Sequence, residues 1–300
     1  MFGRHRTALV PQDPENLVLE PRNVTFDWTD LPVHWVPNEP LVTHTCNVLH
    51  LLLPAGERWF IDVFAQAVPL IEDAKLREQV VGFIGQEAIH ARSHQSVLDH
   101  WKARGIDTDP YVQQVDWMFR KALGDRDLNS SPKHREEWLI ERLAIIAAIE
   151  HITAMLGNWA LNAAALDAAG ADATMMDLLR WHGAEEVEHR AVAFDLFTHL
   201  DGRWHRRVRA MMVTGPIMAW LWIRGVAFLM RTDPELGGRG KARWRHFFWA
   251  GHRRLLPTAR QLIGTTFKYA RPFYHPSKEF STSQAVAYLA TSPAALAAEA

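Results

Sequence analysis

The run from His182 to His189, His-Gly-Ala-Glu-Glu-Val-Glu-His, constrains the fold more than any other part of this 300-residue chain. On a helix that turns about 100° per residue, His182, Glu186 and His189 lie at about 0°, 40° and −20°, within one narrow stripe. Two imidazoles and a carboxylate on one helix face could form half of a metal site. The run therefore predicts further helices that face it and supply the remaining ligands.

Hydrophobic periodicity predicts that the chain is helical almost throughout from Thr43 onward, after an N-terminal part without helical pattern. Apolar residues recur at i, i+3 and i+4 over long windows, and alternating β-branched segments are rare. Four long helices with modest connections, and a shorter helix between the second and third, predict an antiparallel bundle. The predicted spans are Asn47–Ile71 (interrupted or restarted at Pro54), Asp73–Arg104, Pro110–Leu123, Lys133–Ala168 and Asp172–Leu200.

Composition divides the chain into three predicted parts. Residues 1–42 are rich in Pro, Asn and Asp and predict an extended N-terminal arm wrapped on the domain. Residues 43–200 form the bundle, and residues 201–300 form a basic, Trp-rich helical extension packed on it. Residues 1–200 carry 17 Lys/Arg and 29 Asp/Glu (a charge of −12), whereas residues 201–300 carry 16 Lys/Arg and 5 Asp/Glu (+11).

Charge and cysteine content exclude several function classes. The formal net charge of −1 gives no reason to expect nucleic-acid binding. With Cys46 as the only cysteine, the chain has no disulfide framework, and any metal must be held by oxygen and nitrogen ligands. The segment Met1–Arg6 lacks an apolar stretch of signal-peptide length, which predicts a cytoplasmic protein.

The C-terminal extension contains the uncharged apolar run Ala210–Ile223. It is shorter than the roughly 20 apolar residues of a membrane span, but arginines precede it and tryptophans lie within it. Two interpretations stay open. The run is either a fifth bundle helix or a dimer face, or it makes peripheral contact with a membrane through residues 203–230. The basic, aromatic stretch Arg243–Trp249 fits either interpretation, and we expect a homodimer.

Each predicted long helix also offers a candidate metal ligand. One Glu from each of two helices, with Glu-x-x-His from each of the other two, is the inward-facing ligand set of ferritin-like di-iron and di-manganese proteins. The sequence therefore predicts an all-α fold, a ferritin-like four-helix bundle with extra C-terminal helices and an extended N-terminal arm. The candidates in chain order are Glu57, then Glu87 and His90, then Glu150, then Glu186 and His189.

Some of these residues have simpler interpretations when each is taken alone. Glu57 could pair with Arg58 at the surface, and Glu87 with His90 could be a solvated pair. Glu150 is the hardest to explain without a metal, because an unpaired carboxylate in an apolar run costs several kcal/mol. His182 is either a hydrogen-bonded core histidine or a seventh ligand, giving a centre of three histidines and four carboxylates.

Neighbouring titratable residues are expected to act outside the ligand set. Glu185 is predicted to accept a hydrogen bond beside the ligands or to move protons, and is the candidate catalytic residue. Glu188 should face away from the site as a bystander. His94 is predicted to lie in the core or to support a ligand, and His151 to be structural.

Six segments of the chain match a known family, and they are Phe26–Asp30, His34-Trp35, Leu52–Glu57, Gly85–His90, Trp181–His189 and Arg271–Pro276. Through them the chain resembles, over nearly its whole length, the bacterial family labelled "predicted metal-dependent hydrolase". The ligand order, including His182 four residues before Glu186, also resembles that of the di-iron arylamine N-oxygenases of antibiotic biosynthesis. That second resemblance implies the same seven ligands and no particular substrate.

Three functions follow as hypotheses. The first is a di-iron oxygenase or oxidase that activates O₂ and acts on an apolar or amphipathic small molecule. The second is a hydrolase in which two metal ions activate water and Glu185 moves protons. The third is a non-catalytic metal or redox protein. Two iron ions are the expected cofactor, with manganese or zinc as alternatives, because ligands on bundle helices suit O₂ chemistry that is shielded from water.

Overall fold

The computed structural model describes residues 18–125 and 131–299, and within these ranges it is helical with no β-strand. The all-α prediction is therefore confirmed. A π-helical turn, Met118–Ala122, extends the third helix. The α-helices are α1 Pro40–Ala67, α2 Ala74–Ala103, α3 Asp109–Trp117, α4 Pro132–Leu161, α5 Ala164–Ala168, α6 Ala173–His189, α7 Val192–Leu200, α8 Trp204–Thr232, α9 Trp244–His252, α10 Ala259–Tyr269, α11 Thr282–Leu289 and α12 Pro293–Glu299.

The long helices form two antiparallel pairs that face each other. Helix α1 packs along α2, and α4 packs along α6, while α2 also contacts α6 and α7. Within the first pair, Phe64 of α1 stacks on Phe83 of α2 with ring centroids 4.5 Å apart, and both side chains are fully buried. This arrangement is consistent with the predicted ferritin-like bundle.

The predicted helices differ most from the observed ones in the first, third and fourth long helices. The first helix begins at Pro40, ahead of the predicted start at Asn47, and continues through Pro54 without a break. The third long helix ends at Leu161 and is followed by the separate helix α5. The fourth divides at Arg190, whose buried guanidinium donates to the backbone oxygens of Val187 and Pro276. The bond to Val187 occupies a carbonyl that, in a continuous helix, would accept from the backbone N–H four residues later.

The described part of the predicted arm, residues 18–39, lies outside the helices and packs on the bundle. Trp28 and Trp35 are buried, and Trp35 Nε1 donates to Asn47 Oδ1 of α1 over 2.7 Å. The part of the predicted arm that precedes Val18 lies outside the described residues. The division into arm, bundle and C-terminal extension stays a prediction.

Helix α8 packs on α1 and α4 along one side. Among the described residues it is the one helix long and apolar enough to cross a membrane, by length and composition only. Only 28% of its most apolar 18-residue window is buried. Burial in the core therefore does not account for its apolar run.

Glycines set the spacing of α4 and α6. A Cβ added at Gly183 would lie 2.7 Å from Gly157 Cα and 2.8 Å from Gly157 O. Since both neighbours are backbone atoms, the helices could accommodate a methyl group only by moving apart.

We therefore expect Gly183→Ala to lower the free energy of unfolding by about 1–3 kcal/mol. Gly264→Ala is the matched control, because a Cβ at Gly264 would meet nothing within 4 Å. That control should be neutral or stabilising by up to about 1 kcal/mol. Urea titrations of both variants measure the difference, and equal stabilities would contradict the close contact.

Candidate metal centre

The seven predicted ligands lie together in the bundle interior, each at most 6% exposed. Within each of two groups, the oxygen and nitrogen atoms that could bind a metal all lie within 4.8 Å of one another. The groups are Glu57, His90 and His182, and Glu87, Glu150, Glu186 and His189.

Two carboxylates lie between the two groups. Glu87 Oε1 is 3.5 Å from His90 Nδ1 and 3.4 Å from His189 Nε2. Glu186 Oε1 is 2.7 Å from His182 Nε2, and Glu186 Oε2 is 3.5 Å from His189 Nε2. Glu87 and Glu186 each reach a histidine of both groups, which is the placement that bridging carboxylates need.

The helix geometry explains why these side chains converge. Glu87 and His90, like Glu186 and His189, are three residues apart and so share a helix face. His182 precedes Glu186 by one turn and joins the same stripe. Antiparallel packing then brings the stripes of α2 and α6 against single carboxylates from α1 and α4.

Several polar atoms of the cluster are buried without a hydrogen-bond partner among the described residues. They are both carboxylate oxygens of Glu57, Glu87 and Glu150, with His90 Nδ1 and His189 Nε2. Leaving one such group unsatisfied costs about 1–3 kcal/mol. Their convergence in two adjacent groups fits divalent metal ions, which would satisfy all of these atoms.

Burial and mutual repulsion perturb the carboxylates. Burial, followed by the charge of Glu87, raises the pKa of Glu57 well above its ordinary value. Burial, followed by the charge of Glu186, raises the pKa of Glu150 to about 8. Although burial opposes it, the charge of His189 and the hydrogen bond to His182 hold the pKa of Glu186 well below its ordinary value. The metal-free cluster therefore retains protons that metal ions would displace.

In two of the histidines, the ring nitrogen that points away from the cluster has a hydrogen-bond partner. His90 Nε2 is 2.8 Å from Glu185 Oε2, and Arg22 of the arm binds Glu185 Oε1 at 2.7 Å. His189 Nδ1 is 3.1 Å from Gln86 Oε1. With Nε2–H of His90 and Nδ1–H of His189 donating, the nitrogens that face the cluster keep their lone pairs.

Glu185 thus lies behind His90, in contact with His90 and Arg22. It is fully buried, and it is not among the residues that line the cavity described below. This position fits the predicted role as a hydrogen-bond acceptor. The proton-transfer role of Glu185 stays a prediction.

Glu188 faces away from the cluster but is more than a solvated bystander. It is 6% exposed, and Glu188 Oε2 lies 3.0 Å from Arg22 Nη1 and 3.3 Å from Gln86 Nε2. Arg22 and Gln86 were both missed by sequence reasoning. Gln86 had a local signal, since it adjoins Glu87, whereas Arg22 is far along the chain from both of its partners.

His182 is also connected to two buried histidines. His182 Nδ1 contacts His94 Nε2, and His94 Nδ1 lies 2.8 Å from His50 Nδ1. For His182 Nε2 to present a lone pair to the cluster, Nδ1–H must donate to His94. His94 then donates to His50, which sequence reasoning did not single out. His151 lies elsewhere, with its ring nitrogens 2.8 Å from Tyr274 Oη and 2.9 Å from Thr265 O.

A cavity of about 770 Å³ leads from the surface to one side of the cluster. Its inner end is lined by His182, Glu186 and Thr153, and its walls are mainly apolar side chains of α1, α4, α8 and α10. Thr153 Oγ1, also missed by sequence reasoning, donates to Glu186 Oε2 at 2.5 Å. A small molecule in this cavity would touch both histidine and carboxylate ligands.

A further group of His34, His44 and Asp233 could also hold a metal by distance. Here the groups satisfy one another, with Nε2 of His34 and His44 at 2.5 and 2.8 Å from Asp233 Oδ2. Although burial opposes it, these hydrogen bonds hold the pKa of Asp233 below its ordinary value. We interpret this group as a structural contact that joins the arm and α1 to the end of α8.

The contact between His90 and Glu185 carries a prediction. Glu185→Leu removes the acceptor and should weaken metal binding by about 10–100-fold, with a smaller loss in Glu185→Gln, whose amide oxygen still accepts. Isothermal titration calorimetry with the metal measures the affinity of both variants. If Glu185 instead moves protons, Glu185→Gln should lose turnover while keeping its metal affinity.

Comparison with known protein families gives one match. A family model described as "Predicted metal-dependent hydrolase" matches residues 20–279. No curated protein and no solved structure matches the chain. The matched range contains all seven residues of the cluster as well as Arg22 and Gln86.

Proposed function

The chain belongs to the family of predicted metal-dependent hydrolases, and we propose that it is an enzyme with a dinuclear metal centre. Its substrate is an apolar or amphipathic small molecule bound in the cavity. The observation that carries the proposal is the pair of buried donor groups, with Glu87 and Glu186 each near a histidine of both groups, beside the inner end of an apolar cavity. A metal-storage protein would not need such a cavity, so we favour catalysis.

The donor set limits the metals. Four carboxylates balance the charge of two divalent ions, and the three histidines add neutral nitrogen donors. Nitrogen and oxygen donors without a thiolate suit iron, manganese and zinc. Glu57, Glu87, His90, Glu150, His182, Glu186 and His189 are the residues that would hold the ions.

For the reaction we propose O₂-dependent oxidation with two iron ions. The Glu and Glu-x-x-His pattern is that of ferritin-like di-iron proteins, and Glu57, His90 and His182 make a set of two histidines and one carboxylate as in non-haem iron oxygenases. Bound as Fe(II), the two ions would supply two of the electrons that reduce O₂, the oxidised substrate would supply the other two, and an external reductant would restore the ferrous ions. The chain contributes apolar walls that exclude water and orient the substrate, while Thr153 holds a proton at Glu186 Oε2.

Hydrolysis is the second candidate, and the family description favours it. The same set of two histidines and one glutamate occurs at catalytic zinc sites, where the metal supplies an activated water. A bound substrate would approach that water from the side of His182 and Glu186. The hydroxyl of Thr153, which lies 2.5 Å from Glu186 Oε2, could relay a proton there.

One experiment separates the two reactions. The metal-free protein is loaded anaerobically with Fe(II) and then mixed with O₂, while parallel samples with Zn(II) or Mn(II) are tested on ester and amide substrates. O₂ consumption with a transient visible absorption supports oxidation. Cleavage by the zinc or manganese form, without O₂ consumption by the iron form, assigns the protein as a hydrolase.

His182 has its own test. We expect His182→Ala to lower iron affinity at one of the two positions and to change the spectrum of the iron-loaded protein, because Nε2 faces Glu57 and Glu186. His151→Ala is the matched control, a buried histidine outside the cluster. An unchanged iron stoichiometry and spectrum in His182→Ala would leave His182 as a core histidine.

A further inference from the structure

Helix α8 presents apolar side chains to solvent. Its buried residues run from Arg206 to Met230, so one side packs on the bundle along the whole helix. The opposite side is exposed and apolar instead of polar, with Ile217 at 43% and Trp220 at 53% exposure. This exposed stripe consists of Met212, Val213, Pro216, Ile217, Ala219, Trp220 and Ile223.

The exposed stripe continues around the mouth of the cavity. Five large apolar side chains are both exposed and part of the cavity lining, so the apolar surface and the route to the cluster are continuous. These residues are Met212 and Ile223 of α8, Trp244 of α9, and Ile263 and Phe267 of α10. Phe248 and Trp249, which also lie on α9, are exposed as well.

Cationic side chains accompany this apolar surface. Residues 204–267 carry 12 Lys/Arg and 2 Asp/Glu. Arg231, Lys241, Arg243, Arg245 and Arg260 are exposed. Aromatic and apolar side chains together with arginines are the composition that favours the interface of an anionic bilayer.

We infer that the surface formed by α8, α9 and α10 docks on an anionic lipid bilayer, with α8 lying in the interface rather than crossing it. A helix packed on the bundle along its whole length has no free segment with which to span. Charge also argues against a second copy of the chain as the partner. In a two-fold contact the cationic surface of one copy would face the same cationic surface of the other, and the like charges would repel. A bilayer would instead attract that surface and bury the stripe.

If the protein is the enzyme proposed above, docking on a bilayer also indicates the class of its substrate. The mouth of the cavity would open toward the acyl region of the bilayer, and the walls from there to His182 are largely apolar. The substrate would then be a membrane-dissolved amphiphile whose apolar chain enters the cavity. A lipid-dissolved molecule could reach the cluster without passing through water.

The test measures docking apart from catalysis. Metal-loaded protein is centrifuged with vesicles of phosphatidylcholine alone and with vesicles containing about one-third phosphatidylglycerol. We expect binding to the anionic vesicles that weakens as salt rises. Ile217→Glu and Trp220→Ser should each lower the bound fraction by about tenfold. Neither residue lines the cavity, so activity on a water-soluble substrate should persist.

Val81→Glu is the matched control, because Val81 is 56% exposed but lies on α2. It should bind vesicles like the unaltered protein. Absence of binding to anionic vesicles would overturn the inference, as would equal losses in Val81→Glu and Ile217→Glu. A dimer in solution that Ile217→Glu dissociates, without vesicle binding, would assign the surface to a second copy. None of these results would alter the metal or O₂ measurements, so the proposed function is tested separately.

Discussion

Replacing Glu186 by Gln should reduce the bound metal from two ions per chain to one or none and lower turnover by about a thousandfold. Glu186 contacts the histidines of both donor groups, with Oε1 at 2.7 Å from His182 Nε2 and Oε2 at 3.5 Å from His189 Nε2. Removing its charge therefore weakens both metal positions at once. It also removes the negative charge that raises the pKa of His189.

Glu188→Gln is the matched control for Glu186→Gln. Glu188 is on the same helix, is similarly buried, and contacts Arg22 and Gln86 instead of the cluster. We expect this control to retain two ions per chain, measured by inductively coupled plasma mass spectrometry. Retention of both ions in Glu186→Gln would contradict the bridging role, whereas loss in both variants would indicate a general effect on folding.

Removing the metal should lower the melting temperature, and the loss should grow as the pH rises from about 6 to 9. A ligand that binds only the folded state at about 1,000 times its dissociation constant adds about 4 kcal/mol to the free energy of unfolding. For a domain of this size, that corresponds to a shift of about 10 °C. Calorimetry of the metal-loaded and chelated protein at several pH values measures it.

The pH dependence follows from the direction of the pKa shifts. Glu150, raised from 4.5 to about 8, stabilises the metal-free fold fully below pH 4.5 and loses that contribution as the pH rises through about 8. His90 and His189, raised above 6.5, also lose theirs as the pH rises. Glu186, lowered below 4.5, loses its contribution only as the pH falls, which is below this window.

Metal binding changes with pH in the same direction. Ions must displace the protons that the metal-free carboxylates and histidines retain, so affinity also increases with pH. The difference in melting temperature should therefore widen toward pH 9. A difference that is constant or that narrows with rising pH would show that the cluster does not retain these protons.

The sequence alone determined the helical class and the seven side chains that meet in the cluster. Glu-x-x-His spacing and the 3.6-residue period are local properties, so they specify a helix face without knowledge of its neighbours. Ligands from separate helices could be combined because the donor pattern of a ferritin-like pair is itself regular. Helix ends were less accurate, since the division at Arg190 depends on carbonyls from Val187 and from distant Pro276.

Only the tertiary structure decided what surrounds the cluster. Arg22 of the arm meets Glu185 and Glu188 of α6, and His50 meets His182 through His94, so these contacts join distant parts of the chain and no local pattern could reveal them. The cavity and the exposed face of α8 likewise arise from how helices pack. The sequence of an apolar run does not show whether the run is buried, because burial depends on which neighbouring helices cover it.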